Sequence, residues 1–550
     1  MSAIRRTLVP AAALLAVLPA PAALAAPHWS SPRQVVPKPP EAERTVGAPQ
    51  ALIAADGSLR GFGSDGAYPI TLSGTVAGGL TSTRLSTTST GTARGAIGPD
   101  GTLAATWSDT ARAFAVTAPG GGAFGGPFAL PGARVGSADA AVGSDGVTTV
   151  IWRSREADGN YQALVAQAPP GGALGAPQVL DAGTSPVSSV DAAAGPNGAV
   201  GVAYTRQAGG YRVKTSLKPA GAAAFETPQT VSDGGQTDMR PELAFNADGT
   251  AVVAWANPQG AKAAFRRPGQ TAFEAPAAVG GAGYNLALAP TPQGGAALAY
   301  VGDGSVHAAV QAPGGGFSAA AAIAPAPGQI PPAPSVATDA AGTTMVAYAD
   351  APSGEVRVVT LGGGTTQIGY GAAGVLTPVS LASAGVNRAV ALWRDGDGGL
   401  SAATFGEDAP VNTGLGPKPA GPDRAAPKVK LRGGTTLRAT SRTTTVKLTL
   451  TLSERAAIGV MGDLRTTRAG RKRVAPLPTI DVRTAKLRSA GRQTITLKLG
   501  RTATADLRRA LRARRGGQLF LRVSARDAAN NTSETRIRLT IKAKPKKRSR

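Results

Sequence analysis

One pattern recurs eight times between residues 49 and 413: a strand of small residues, a turn usually containing Asp-Gly or its equivalent, and a β-branched run ending in an aromatic. The clearest copies run from Asp100-Gly101 to Trp107, Asp145-Gly146 to Trp152, Asn197-Gly198 to Tyr204 and Asp248-Gly249 to Trp255. Looser copies run from Gly294 to Tyr300, Gly342 to Tyr348 and Asn387 to Trp393, and the first is placed at Asp56-Gly57 to Phe62. The aromatics at 62, 107, 152, 204, 255, 300, 348 and 393 stand 45, 45, 52, 51, 45, 48 and 45 residues apart. A period this steady marks a repeat architecture, in which each unit buries its apolar face against the next.

A second landmark lies inside the period, where a Pro/Gly turn precedes an apolar residue and then a Pro-led strand: Phe124 before Pro127, Leu174 before Pro177, Phe225 before Pro228 and Phe273 before Pro276, with a looser copy at Phe317. Each repeat therefore holds two hairpins. Asp-Gly and Asn-Gly favour tight turns in which both central residues take positive φ. Runs such as Val147 to Trp152 alternate with period two, so the elements are strands. Four short antiparallel strands per repeat of about 45 residues predict the blades of a β-propeller, whose radial closure shortens and protects the edges. A parallel β-helix would have shorter coils and less regular turns. The fold class is all-β, a seven- or eight-bladed propeller, and eight copies favour eight blades. Small-residue strands such as Asp139 to Gly143 suit the crowded axis. The aromatics Trp107, Trp152, Tyr204, Trp255, Tyr300, Tyr348 and Trp393 are expected to wedge between blades.

Charge divides the chain. Residues 1–413 carry 23 basic and 26 acidic side chains and residues 414–550 carry 35 and 7, so the net charge of +25 is −3 plus +28. Such asymmetry predicts a neutral body joined to a cationic module that meets polyanions. With 73 Gly and 43 Pro in 550 residues the chain is rich in turns yet within the range that folds. Absence of Cys excludes disulfides, thiol nucleophiles and Cys-ligated zinc, and two histidines, His28 and His307, leave no His-rich metal site.

Arg5 and Arg6, the apolar run Leu8 to Leu18 and the small-residue pattern Ala23-Leu24-Ala25 predict a signal peptide over 1–25, cleaved after Ala25. The apolar run is too short to span a bilayer. Arg5-Arg6-Thr7-Leu8-Val9 also resembles the twin-arginine export motif. The mature chain is expected to be secreted or associated with the cell surface. Residues 26–48, rich in proline, read as an extended leader ahead of the first folded unit.

Chemistry is sparse in the repeats. Ser144-Asp145-Gly146 with Trp152 resembles the Asp-box of sialidase-type propellers, and the repeat as a whole distantly resembles sialidase and WD40-type propellers. The tryptophan follows the glycine by six residues, too far for a compact Asp-box, and the arginine cluster and tyrosine–glutamate pair that sialidase activity implies are not apparent. Glycoside hydrolysis needs two carboxyl groups that converge. The acids Glu156, Asp158, Glu226, Asp233, Asp238, Glu242 and Glu274 are scattered, with Glu226 and Glu274 in equivalent places. Asp395-Gly396-Asp397-Gly398-Gly399 resembles part of a calcium loop but lacks the further ligands, and reads as a hairpin loop of the last blade. No catalytic residue, metal ligand or cofactor is assigned.

After a Pro/Gly linker over 414–427 the pattern changes to alternating strands over 428–541: Lys428–Leu431, Thr444–Ser453, Ala456–Met461, Thr494–Leu499, Gln518–Asp527 and Glu534–Ile541, with a helix-compatible stretch from Thr504 to Arg515. About 115 residues of this kind predict a sandwich. The opening Asp423-Arg424-Ala425-Ala426-Pro427 with Val429, and the closing hairpin around Val523 to Thr532, resemble bacterial Ig-like modules of exported proteins; that resemblance implies adhesion or display and no reaction. Basic residues concentrate at Arg471, Lys472 and Arg473, at Arg508, Arg509 and Arg512, and in a tail over 542–550 with Lys544, Lys546, Lys547 and Arg548. These are the candidate polyanion-binding residues. Phe520 is the module's sole aromatic, which disfavours nucleic acid; an anionic envelope polymer or membrane surface fits better. The sequence thus describes an exported binding or scaffold protein, with an unknown protein or glycan ligand on the propeller. The alternative is a carbohydrate-active, sialidase-like propeller enzyme.

Overall fold

A computed structural model describes residues 26–37, most of 49–406 and, within 428–541, chiefly the strands; residues 1–25, 38–48, 407–427, 477–490 and 542–550 lie outside the described residues. The predicted signal peptide, linker and basic tail therefore fall outside the description. Among the described residues no helix is long and apolar enough to cross a membrane. The chain forms two compact units.

The first unit is an eight-bladed propeller of antiparallel sheets. The inner strands are Gln50–Ile53, Arg94–Ile97, Arg134–Val142, Val187–Ala194, Glu242–Phe245, Tyr284–Pro290, Ser335–Thr338 and Val379–Ser383, and each touches the next, the last meeting the first. These are the small-residue strands ahead of the turns, as crowding at the axis requires.

The ring is closed by a segment that the sequence reading set aside as a leader. After Trp393 the described residues of the eighth repeat supply one more strand, Leu400–Gly406, whose outer edge they do not cover. His28–Trp29 and Arg33–Val36 fill that edge, with Trp29 opposite Phe405 and Arg33 opposite Ala402. Trp29 is buried, its ring 5.4 Å from that of Phe405. Joining both ends of the propeller in one sheet hides the strand edge that would otherwise be exposed.

The blade aromatics lie between blades as expected, each against the preceding blade. Trp152 packs on Ala104, Ala113 and Ala115 of blade two, Trp255 on Ala203 and Val213 of blade four, and Trp393 on Met345 and Val356 of blade seven. Small residues on one face accept large ones from the next. Phe62 breaks the rule. Its strand partner is Gln50, and the matching inner residue of blade two, Arg94, is opposite Thr106 and not Trp107. Phe62 is thus one position out of phase and packs forward on Trp107 and Ala105 of blade two. A Cβ on Gly95 would come within 2.7 Å of its ring, so that site must be glycine. Gly63 holds the true aromatic position, and the interface between blades eight and one is aliphatic, built from Leu59, Ile70, Leu72, Val390, Leu392 and Leu400.

Most Asp-Gly turns also differ from expectation. In Asp100-Gly101, Asp145-Gly146 and Asp248-Gly249 only the glycine has positive φ. Gly101 N–H returns to Gly98 O and Gly98 N–H to Thr102 O, a turn closed by a glycine bulge. The aspartate serves through its side chain: the Asp100 carboxylate accepts from the Thr102 amide at 2.9 Å and its hydroxyl at 2.7 Å. Asn197-Gly198, with φ of 59° and 79°, has both residues positive as predicted.

Among its described residues the second unit contains two four-stranded sheets. In one, Thr444–Leu452 is flanked by Val429–Leu431 and Thr436–Ala439 along one edge and Gly491–Leu499 along the other; the second runs Arg471–Pro476, Ala457–Arg468, Gly517–Arg526 and Thr532–Ile541 in spatial order. Leu450, Leu452, Leu507, Leu521, Val523 and Ala525 are buried. The closing hairpin is in place, with Val523 opposite Thr535. Thr436–Ala439 and Arg471–Pro476 are strands that the sequence pattern did not reveal.

Candidate functional site

Each inner strand places one residue opposite the residue just before the blade aromatic. Going round the axis these are Gln50, Arg94, Asp139, Asp191, Glu242, Ala287, Ser335 and Ser380. Their side chains have one recurring use. Asp139 accepts the Ala192 N–H at 2.9 Å and Asp191 the Leu243 N–H at 2.6 Å; Ser335 accepts the Leu381 N–H and Ser380 the Ala51 N–H, both at 2.9 Å. Gln50 accepts from the Gly95 N–H at 2.8 Å and donates to its carbonyl at 2.9 Å. Every donating N–H lies one residue beyond the next blade's ring position, so five of the eight ring positions brace the neighbouring blade, side chain to backbone. Arg94 cannot accept and Ala287 has no side-chain acceptor; among the described residues Glu242 accepts no such bond.

The ring is chemically lopsided. Arg94, Asp139, Asp191 and Glu242 occupy four consecutive blades, while Ala287, Ser335 and Ser380 face them. The charged arc lines a cavity of about 740 Å3, to which Arg153, Arg240 and the hydroxyl-bearing Thr92, Ser137, Ser188 and Ser189 also contribute. Burial raises the Asp139 carboxyl, against the lowering influence of the Ala192 N–H and Arg94. Asp191 is raised well above the usual range by burial and by the charges of Glu242 and Asp139. Glu242 is pushed up to about 7 by burial and the Asp139 charge, with Arg94 opposing. Asp139 and Asp191 are coupled neighbours in the arc, and each raises the cost of ionising the other. The arc therefore gathers three carboxyl groups whose proton affinities are all raised, Glu242 to about 7.

Other candidates resolve into structural roles. Asp395 spends its carboxylate on the amides of Asp397 and Gly399, on Gln34 and on Ser401, which makes the calcium-loop resemblance a filled hairpin turn. Among the described residues no group of three or more acidic or histidine side chains could hold a metal ion. His307 stacks on Tyr300 with centroids 5.0 Å apart, and its Nε2 lies 2.9 Å from Gly302 O. Glu226 pairs with Arg266, Glu274 with Arg267, and Asp233 with Lys262 at 3.0 Å; Arg267 holds the Glu274 carboxyl below its ordinary range. Asp158 closes its own turn on Asn160, and Asp238 lies outside the described residues. A tyrosine–carboxylate pair does exist, Tyr204 donating to Asp181 at 3.2 Å beside Arg206 and Lys214, but Asp181 sits on the outer strand of blade three, away from the axis.

Of the basic candidates, Arg508 is half-buried and Arg509 exposed. Arg471, Lys472 and Arg473 lie on the edge strand of the second sheet. Arg512, Lys544, Lys546, Lys547 and Arg548 lie outside the described residues.

No protein-family profile matches the chain, and no curated protein matches it significantly. Solved structures similar to it include a prolyl endopeptidase (TM-score 0.41, 12% identity, 74% of this chain and 55% of that one). Virginiamycin B lyase from Staphylococcus aureus (0.37, 11%, 56% and 93%) and the β-propeller domain of the Trilobed protease from Pyrococcus furiosus (0.35, 9%, 59% and 98%) are also similar. The chain spans about half the length of the prolyl endopeptidase. Their activities differ, and none transfers to this chain.

Proposed function

We propose that the chain is an exported binding protein that takes a polar, hydroxyl-bearing ligand of glycan type in the charged arc of its propeller. Its C-terminal unit, read as an Ig-like sandwich, holds it at an anionic envelope surface. The observation that carries the reading is the cavity of about 740 Å3 walled on consecutive blades by Arg94, Asp139, Asp191 and Glu242. Its volume suits a small ligand, and convergent polar groups are what fix such a ligand in place. The arginine donors and carboxyl acceptors of this wall match the hydroxyls of a sugar. Asp139 and Asp191 each spend an oxygen on the brace, whereas Glu242 is the acid the brace does not use, so Glu242 and Arg94 are the residues placed on the ligand.

The test is titration calorimetry of the chain against neutral, amino and uronic oligosaccharides, with Glu242→Gln and Arg94→Gln in parallel. A glycan that binds wild type and is weakened at least tenfold by either change supports the reading. A glycan that binds all three proteins equally, or no binding across the panel, sinks it.

The raised Glu242 carboxyl beside ionisable Asp139 favours a second reading, glycoside hydrolysis, in which one group protonates the leaving oxygen and another attacks or activates water. Release of reducing ends is followed in the same wells. Turnover that Glu242→Gln abolishes while binding persists would replace the binding reading with the enzymatic one.

A further inference from the structure

The central strand Thr444–Leu452 of the first C-terminal sheet has two unlike faces. Successive residues of a strand point to opposite sides. Leu450 and Leu452 are buried; by alternation Val446 and Leu448 fall on their face of the strand, and Thr445, Lys447, Thr449 and Thr451 on the other. Register extends that other face across the neighbouring strands, because directly paired residues share a side. Lys430 and Arg492 stand on either side of Thr451, and Arg438 and Lys498 on either side of Thr445. Thr436 and Thr496 flank Lys447, and Thr494 is opposite Thr449. Lys430 and Arg492 are exposed.

These positions hold five basic residues, six threonines and no acid. Thr445 to Thr451 is a track about 20 Å long at the ordinary strand rise, flanked at both ends by cations about 5 Å to either side. The second sheet is different: the register puts Glu534 and Asp463 on the same face as Arg522 and Arg536, and Glu534 pairs with Arg536 at 3.4 Å. Like charges gathered on one sheet face repel one another, and an anion laid among them relieves that repulsion.

We propose that this face docks a linear polyanion laid along Thr444–Leu452, with Lys430, Arg438, Lys447, Arg492 and Lys498 as its counter-charges and the threonine hydroxyls as donors to its phosphate or carboxylate oxygens. The proposal rests on the reading that the C-terminal unit binds an anionic envelope polymer, and it names the surface. A row of cations matched to a narrow track fits an extended chain. The face has no aromatic or large apolar residue to enter a bilayer or stack on bases.

The full mature chain is titrated with long-chain sodium polyphosphate, with poly-glutamate and with phosphatidylglycerol vesicles, over a range of salt. Two variants remove the same four charges: Lys430→Gln/Lys447→Gln/Arg492→Gln/Lys498→Gln on the face, and Lys544→Gln/Lys546→Gln/Lys547→Gln/Arg548→Gln on the tail. The face variant is expected to weaken polyphosphate binding at least tenfold and to lower the slope of log K against log salt by about 3. The tail variant should weaken it less than threefold. Preference for polyphosphate over poly-glutamate, or the reverse, identifies the anionic group. Should the fourfold face variant melt early, Lys430→Glu alone, an exposed edge residue, must still weaken binding. Tight binding by the face variant with loss in the tail variant overturns the docking face and leaves the polyanion reading standing. Failure of wild type to bind either polymer at low salt overturns both. Binding to vesicles alone overturns the docking face in favour of a lipid surface.

Discussion

Blades three and four brace their neighbours with carboxylates, whereas blades seven and eight do the same with hydroxyls. Asp191 and Ser380 occupy equivalent places and accept equivalent N–H groups, from Leu243 and Ala51. A hydroxyl does this without ionising. A carboxyl in this half-buried ring either keeps its proton or holds a poorly solvated charge, and three on consecutive blades repel one another. Bracing alone therefore does not explain Asp139, Asp191 and Glu242. Their excess chemistry over the serine arc is what points to a ligand.

The largest effect expected from breaking this comparison is at the serine. Ser380→Ala removes the acceptor for the Ala51 N–H, whose residue is buried, and should cost about 1–3 kcal/mol in urea unfolding. Asp191→Ala removes an equivalent acceptor but also relieves the repulsion among carboxylates, so at pH 8 it should cost less than Ser380→Ala. As pH falls and the acids take up protons, the two costs should converge. If Asp191→Ala is the more damaging change at pH 8, the carboxylate is not a burden and the contrast between the arcs collapses.

A smaller effect separates charge from bracing. A carboxyl whose pKa is higher folded than unfolded binds its proton more tightly in the native state, so native stability falls as pH rises from the unfolded value through the folded one. For Glu242, raised to about 7, that window runs from the ordinary carboxylate range to just above neutrality. The melting temperature of wild type should carry a decline across it that is reduced in Glu242→Gln. Asp191→Asn, which keeps an oxygen for the Leu243 N–H, should reduce it further. An unchanged slope in both variants would place the titration elsewhere.

The part of this that was legible in the sequence was what local chemistry writes plainly. Asp-Gly turns and the aromatics that follow them stand at nearly fixed spacing, so the blades could be counted from residue types alone. The ring was not legible by type, because Gln, Arg, Asp, Glu, Ala and Ser share no side-chain chemistry. It was recoverable by position: Arg94, Asp139, Asp191, Glu242, Ala287, Ser335 and Ser380 each lie thirteen residues before their blade aromatic, and Gln50 lies thirteen before Gly63. The same count exposes Phe62 as out of phase. Closure by Trp29 and Val36 was hidden for a different reason, since pairing between the two ends of a propeller leaves no mark in local sequence.

The finest discrimination comes from carrying a carboxyl across the ring. Ser335→Asp retains an acceptor for the Leu381 N–H, and its ring neighbours are Ala287 and Ser380, neither of them charged. Burial is the first cause of the raised values at Asp139, Asp191 and Glu242, and neighbouring carboxylates add to it at Asp191 and Glu242. At position 335, which is half-buried, only partial burial should act. The substitution should therefore change stability by less than about 1 kcal/mol at acid pH, once the new carboxyl is protonated and still bonded. Between pH 5 and 8 it should add a decline in melting temperature shallower than the one that Asp191→Asn removes from wild type. An added decline equally steep would mean that burial at the axis sets these pKa values by itself, and that the clustering on blades three to five contributes nothing to them.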